Sequence, residues 1–271
     1  AALMLGNKLN LPVVISARGT DMNLYPQLKR IAPLIKKVLQ GTQHQISVCQ
    51  SLADIMLGNG ALKGQVTVIP NGVDPDIMKA VSQKEARKKL QLNTDDKIAL
   101  SVGGLIERKG HHLLIDALAI LRDKGALDFK TFILGQGTDK KKLLNQIQRL
   151  SLAEHVFLWG EVDNKVLNAW YCAADISFLG SSREGWPNVV SESLACGTPV
   201  VATNVNGIPE ILTSSDYGLI VERNAADFAA GLTTAFLTKW NRDQIAAFGR
   251  QRTWDSVAQE VVTVFNHVLS R

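Results

Sequence analysis

Nine short apolar runs recur along the chain, with stretches of a different periodicity between them. The runs are PVVISA, HQISVC, QVTVIP, KIALSVG, KTFILG, HVFLWG, ADISFL, TPVVAT and YGLIV. Most are apolar at both odd and even positions. A strand of that kind needs cover on both faces, which is the condition of a parallel sheet. Between the runs the apolar period becomes helical. Leu114, Ala117, Leu118 and Leu121 fall on one face of GHHLLIDALAILRDKG, and Leu143, Leu144, Ile147 and Leu150 do the same in KKKLLNQIQRL. Alternating strands and helices predict an α/β fold of doubly wound parallel sheets.

The alternation is interrupted once. IPNGVDPDIM, residues 69–78, holds an Asn-Gly and two prolines, which marks the end of one unit. The roughly 180 residues after it are enough for a complete domain. The roughly 70 before it supply about three strands, too few to wind a sheet on both sides. That first part reads either as a small appendage or as the end of a domain whose beginning is missing.

Composition narrows the class. Hydrophobic residues make up 46% and charged residues 20%, a globular balance rather than a disordered one. The apolar runs are too short to span a bilayer. A net charge of +5 favours an anionic partner: a nucleotide, a phospholipid surface or a nucleic acid. The KKK cluster (Lys140–Lys142) and the ARKK cluster (Ala86–Lys89) read as solvated helix faces. No aromatic residues interleave with them, so nucleic acid is not expected as a partner. Cys49, Cys172 and Cys196 have no paired spacing, which predicts reduced core thiols and a cytoplasmic setting. The histidines show no metal-ligand spacing; His111 and His112 are adjacent and cannot face one point from a helix.

Ligands of open parallel sheets bind at the carboxyl ends of strands, and four of those ends carry informative residues. GGLIERKG (103–110) combines Gly103 and Gly104 with Arg108 and Lys109 just before a helix. It reads either as a tight turn with surface charges or as a cradle for phosphate or diphosphate. ILGQGTDKKKL has two glycines without the dinucleotide fingerprint and reads as a turn. In FLGSSREGWPNVVSESL a helix is expected from about Pro187 to Cys196, with Glu184 in the loop before it and Glu192 inside it. The two carboxylates stand as the two ends of one ligand would require, unless Glu184 is a solvated loop residue and Glu192 an exposed helical one. ATNVNGIPEIL shapes a further loop, where Glu210 serves local structure.

Taken in order, IPNGVD, VGGLIERKG and REGWPNVVSESLACGTPVVAT resemble the retaining GT-B glycosyltransferases, glycosyltransferase family 4 (glycosyl transferases group 1). The resemblance covers nearly the whole chain. It implies that residues 1–73 are the last part of an acceptor-side Rossmann-like domain. Residues 74–253 would be the donor-binding domain, and 254–271 a helix crossing back to the first.

The resemblance also implies a reaction: metal-independent, retaining transfer of a hexose-type sugar from a nucleotide diphosphate sugar, without a cofactor, in surface polysaccharide or glycolipid synthesis. Glu184 would contact the donor hexose, and Glu192 the ribose. Arg108 and Lys109 would hold the diphosphate beside Gly103 and Gly104. Amides around Asn188 and Val189 would approach sugar and phosphate, and Val162 would lie beside the base. The implied partners are a nucleotide-sugar donor and a carbohydrate or lipid-linked acceptor, with a peripheral contact at the cytoplasmic membrane face. Gly104 stands where the family often has Arg. Arg18 stands where it often has His, and Arg cannot act as a neutral base; a contact to an anionic donor or acceptor group is the role left to it. A non-catalytic nucleotide-sugar-binding fragment and a nucleotide-sugar epimerase of the same fold are the alternatives.

Overall fold

The computed structural model describes residues 1–270. It divides into two compact units: residues 1–72, 183–187 and 252–270 form the first, and residues 73–182 and 188–251 the second. All nine apolar runs contain strands.

In the first unit, β1 (Val14–Ala17), β2 (His44–Ser47) and β3 (Val66–Val68) form a parallel sheet in the order β1-β2-β3. Its helices are α1 (Ala2–Leu9), α2 (Thr20–Asn23), α3 (Ala32–Gly41) and α4 (Gln50–Gly58), with the C-terminal α13 (Trp254–Leu269). One core gathers Ala17, Met22, Leu39, Val48, Leu52 and Met56, and half-buried Trp186 packs against it. A second core joins Ile46 and Ile69 to Val257 and Val264 of α13. This helix starts on a capping box: Thr253 and Ser256 bond each other's main-chain N–H, which satisfies two donors of the first turn.

The second unit holds β4 (Ile98–Val102), β5 (Lys130–Leu134), β6 (Val156–Gly160), β7 (Ile176–Leu179), β8 (Val200–Thr203) and β9 (Gly218–Val221). All five pairings are parallel, in the order β6-β5-β4-β7-β8-β9. Its helices are α5 (Gln83–Lys89), α6 (His111–Asp123), α7 (Lys140–Arg149), α8 (Asn164–Ala173), α9 (Asn188–Ala195), α10 (Ile208–Ile211), α11 (Ala225–Leu237) and α12 (Arg242–Gly249).

The two-residue period of the strands divides the core in two. Ala99 and Ile133 face Leu114, Leu118, Leu143 and Phe228 from α6, α7 and α11. Ile98, Leu100, Phe132 and Leu134 face Leu167, Trp170 and Tyr171 of α8 on the other side. That is why these strands carry apolar residues at both odd and even positions. Chain order reverses at β4, which has β5 on one side and β7 on the other. Parallel strands put all their carboxyl ends on one edge, and the crevice between β4 and β7 is the topological switch point.

One expectation is corrected here. The ARKK cluster is not a wholly solvated face: Ala86 and Arg87 are buried. Arg87 donates to the carbonyls of Ala173 (2.9 Å) and Thr94 (2.7 Å) and pairs with Asp175 Oδ2 at 2.9 Å. Asp175 also accepts from the Ile98 N–H at 2.7 Å, so this buried cation ties α5 to the start of β4 and β7. The three cysteines are buried thiols. Among the described residues no helix is long and apolar enough to cross a membrane.

Candidate functional site

The loop after β4 is built on glycines. Gly103 has φ +155° and runs beside the Lys109 side chain; a Cβ there would lie 3.5 Å from Lys109 Cδ. Gly104 and Leu105 rest on the loop after β5, where the Leu105 N–H donates to the Gln136 carbonyl at 2.8 Å. Gly135 and Gly137 belong to this support: a Cβ on Gly135 would stand 2.0 Å from the Gly103 carbonyl oxygen. A short 3₁₀ turn, Glu107–Lys109, carries the two cations, and α6 follows it directly. The N-cap of α6 is Gly110, which has no side chain to cap with. The first amides of this helix, with their partial positive charge, therefore open beside Arg108 and Lys109.

His111 opens α6 and is buried beneath this loop. Ser101 Oγ gives its proton to the Phe178 carbonyl (3.1 Å), so the His111 Nδ1–H donates to Ser101 Oγ (3.2 Å). Burial lowers the His111 pKa to about 4. Lys109 and His112 push the same way, while the Gly103 and Gly104 backbone opposes. The ring is neutral at pH 7.

The second part of the site follows β7. The Ser182 N–H donates to the Arg108 carbonyl (2.9 Å), joining the loops after β4 and β7 across the switch point. A Cβ on Gly110 would lie 2.0 Å from the Gly180 carbonyl oxygen, so these loops pack backbone to backbone. α9 begins at Asn188, which is exposed, with Val189 half-buried. Glu192 lies in the second turn and is half-buried, not an exposed helical residue. The Tyr171 hydroxyl donates to its Oε2 at 3.0 Å. Burial raises the Glu192 pKa and the Tyr171 hydrogen bond opposes the rise. Val162, after β6, is half-buried and packs against the α8 side of the core.

Gly103, Gly104, Arg108, Lys109, Val162, Asn188, Val189 and Glu192 all belong to the second unit. They lie in or after the loops on the carboxyl edge of its sheet. Glu184 and Arg18 belong to the first. Glu184 is buried rather than solvated, and its main-chain carbonyl accepts from Asn23 Nδ2 at 2.8 Å. The Arg18 guanidinium donates to Asn71 Oδ1 at 2.9 Å, while Asp21 accepts from the Arg18 and Gly19 N–H groups at 2.8 Å each.

Residues 82–252 match the family described as "Glycosyl transferases group 1", and residues 1–77 match "Glycosyltransferase Family 4". The chain belongs to the glycosyl transferases group 1 family. An N-acetylgalactosamine-N,N'-diacetylbacillosaminyl-diphospho-undecaprenol 4-alpha-N-acetylgalactosaminyltransferase of Campylobacter jejuni is 34% identical over 82% of this chain and 58% of its own. The putative teichuronic acid biosynthesis glycosyltransferase TuaC of Bacillus subtilis is 27% identical over 86% of this chain and 57% of its own. The chain spans about half to three-fifths of the length of the curated relatives it matches. HepE of Anabaena, solved in complex with UDP, superposes with a TM-score of 0.86 at 20% identity, covering 98% of this chain and 75% of its own. Sucrose-phosphate synthase of Thermosynechococcus elongatus gives 0.84 at 20% identity, covering 99% of this chain and 71% of its own. The fold is GT-B.

Three residues around these strand-end loops escape the sequence reading. Tyr171 lies in an apolar stretch and reads as core; its partner is 21 positions away. His111 is read in the sequence only as one of two adjacent histidines without metal-ligand spacing, although it falls on the same helix face as Leu114 and Leu118. Arg223, just past β9, donates from Nε to the Gly180 carbonyl (3.1 Å) and from Nη2 to the Glu107 carbonyl (3.4 Å). It thereby braces the loops after β4 and β7. A cation two positions past an apolar strand, at its carboxyl end, is the available signal.

Proposed function

We propose that the second unit binds a nucleotide diphosphate sugar, and that the protein moves its hexose-type sugar to a carbohydrate or lipid-linked acceptor with retention and without a metal. One observation carries the reading. Two helix N-termini, those of α6 and α9, and two cations, Arg108 and Lys109, follow the adjoining strands β4 and β7 at the switch point. Cleaving an anomeric bond leaves positive charge on the sugar and negative charge on the departing diphosphate. Fixed cations and helix amides stabilise the second without reorganising. Glu192 accepts from the ribose hydroxyls, the amides of Asn188 and Val189 approach the phosphate and sugar, and Val162 lies against the base. The resemblance assigns Glu184 to the donor hexose and Arg18 to an anionic group of donor or acceptor. Relatives named for undecaprenol-linked and teichuronic acid chemistry support a role in surface polysaccharide or glycolipid synthesis at the cytoplasmic membrane face.

The test is release of nucleoside diphosphate from UDP-, GDP- and ADP-sugars, with and without EDTA. Turnover that resists EDTA and falls about 100-fold or more in Lys109→Ala is expected, the loss typical of one donor to a developing oxyanion. EDTA-sensitive turnover, or Lys109→Ala at wild-type rate, contradicts the proposal. Donor binding without release would favour a nucleotide-sugar-binding unit instead.

A further inference from the structure

Tyr171 is wholly buried on α8, and its phenol reaches across to α9. Buried hydroxyls usually take main-chain carbonyls. Two neighbours do so: Thr198 Oγ1 donates to the Tyr171 carbonyl at 2.7 Å, and Ser193 Oγ to the Thr198 carbonyl at 3.0 Å. The Tyr171 hydroxyl instead donates to a carboxylate, Glu192 Oε2, at 3.0 Å. The mount behind it is tied down. Arg242 donates to Thr198 Oγ1 (2.6 Å) and to the carbonyls of Cys172 (3.2 Å) and Ala174 (2.9 Å). A hydrogen bond to one carboxylate oxygen restricts rotation about the terminal torsion of Glu192, which is otherwise broad, and leaves the carboxylate further acceptor sites.

We propose that Tyr171 is a positioning residue whose hydroxyl fixes the Glu192 carboxylate in the orientation that accepts the ribose hydroxyls of the nucleotide. This rests on the ribose assignment of Glu192 made above. Burial, and then the Glu192 charge, raise the Tyr171 pKa well above its ordinary value, so the phenol keeps its proton and remains the donor. The same bond opposes the rise that burial imposes on Glu192. The other titratable groups on the elements against α9 are Lys165 and Cys172 on α8, Glu210 on α10, and Arg242 and Asp243 on α12; Cys196 directly follows α9, and Arg183 and Glu184 precede it in the chain.

The experiment is calorimetry with UDP and 2′-deoxy-UDP from about pH 4.5 to 8, on wild type, Tyr171→Phe, Glu192→Ala and the double variant. Hydrogen bonds to a charged group are worth roughly tenfold or more in affinity, so wild type prefers UDP by about that factor. Glu192→Ala loses the preference. Tyr171→Phe loses most of it, and its acid limb moves to higher pH because the carboxylate has lost the bond that held its pKa down. The double variant matches Glu192→Ala. A Tyr171→Phe variant with full preference and an unmoved acid limb, beside a Glu192→Ala variant that has lost the preference, overturns the positioning role and leaves the ribose reading standing. Undiminished preference in Glu192→Ala overturns both. If Tyr171→Phe does not fold, the Tyr171 hydroxyl proton of wild type is followed by NMR. It is expected to shift with the midpoint of the acid limb, and indifference to that titration overturns the proposal.

Discussion

His111 shows how one buried side chain links the stability of the second unit to pH. Its folded pKa is about 4 against an ordinary 6.5, because burial disfavours the charged ring. Between these values the unfolded chain binds a proton that the folded chain does not. Stability is therefore full above about pH 6.5 and declines as pH falls toward 4. At about 1.4 kcal/mol per pKa unit the loss is roughly 3 kcal/mol. Glu192, whose pKa burial raises, acts in the opposite sense, so the test is a difference between proteins. Thermal melts of wild type and His111→Gln at pH 7 and 4.5 are expected to show a smaller acid-induced drop in the variant. Equal drops would mean that His111 is not the group responsible.

At the scale of elements, the site depends on how closely three strand-end loops stack. Gly135 combines φ +144° with a Cβ position 2.0 Å from the Gly103 carbonyl. Gly125, at the end of α6, has φ +66° but open space around it. Gly125→Ala is expected to cost about 1 kcal/mol from the backbone alone, with nucleotide affinity unchanged. Gly135→Ala adds a displacement of the Gly103 loop, costs roughly 1–3 kcal/mol, and weakens UDP binding. Equal effects of the two on affinity would show that the stacking does not shape the site. The strands were legible because burial on both faces leaves a local mark in PVVISA or KIALSVG. The loop after β4 was legible because glycines and cations stand together in GGLIERKG. The pairing of β4 with β7 was not, because strand order is set by long-range contacts. Arg87 misled for the same reason: a charge run looks solvated until the carbonyls of Ala173 and Thr94 and the carboxylate of Asp175 are placed around it. Tyr171 carried no local signal at all.

At the scale of the whole molecule, each unit has its own sheet and its own cores, and the residues after β4, β6 and β7 that are proposed to bind the donor lie in one of them. A nucleoside diphosphate is proposed to occupy the carboxyl edge of the six-stranded sheet at the β4–β7 switch point. Hydrogen exchange read by mass spectrometry tests it most directly, with the chain alone and with UDP, GDP or ADP. Slower exchange is expected in 103–114 and 188–193 with at least one of the three, and Lys109→Ala should abolish it at the same nucleotide concentration. Protection confined to other segments under all three nucleotides, or protection of 103–114 and 188–193 that persists unchanged in Lys109→Ala, would contradict the account.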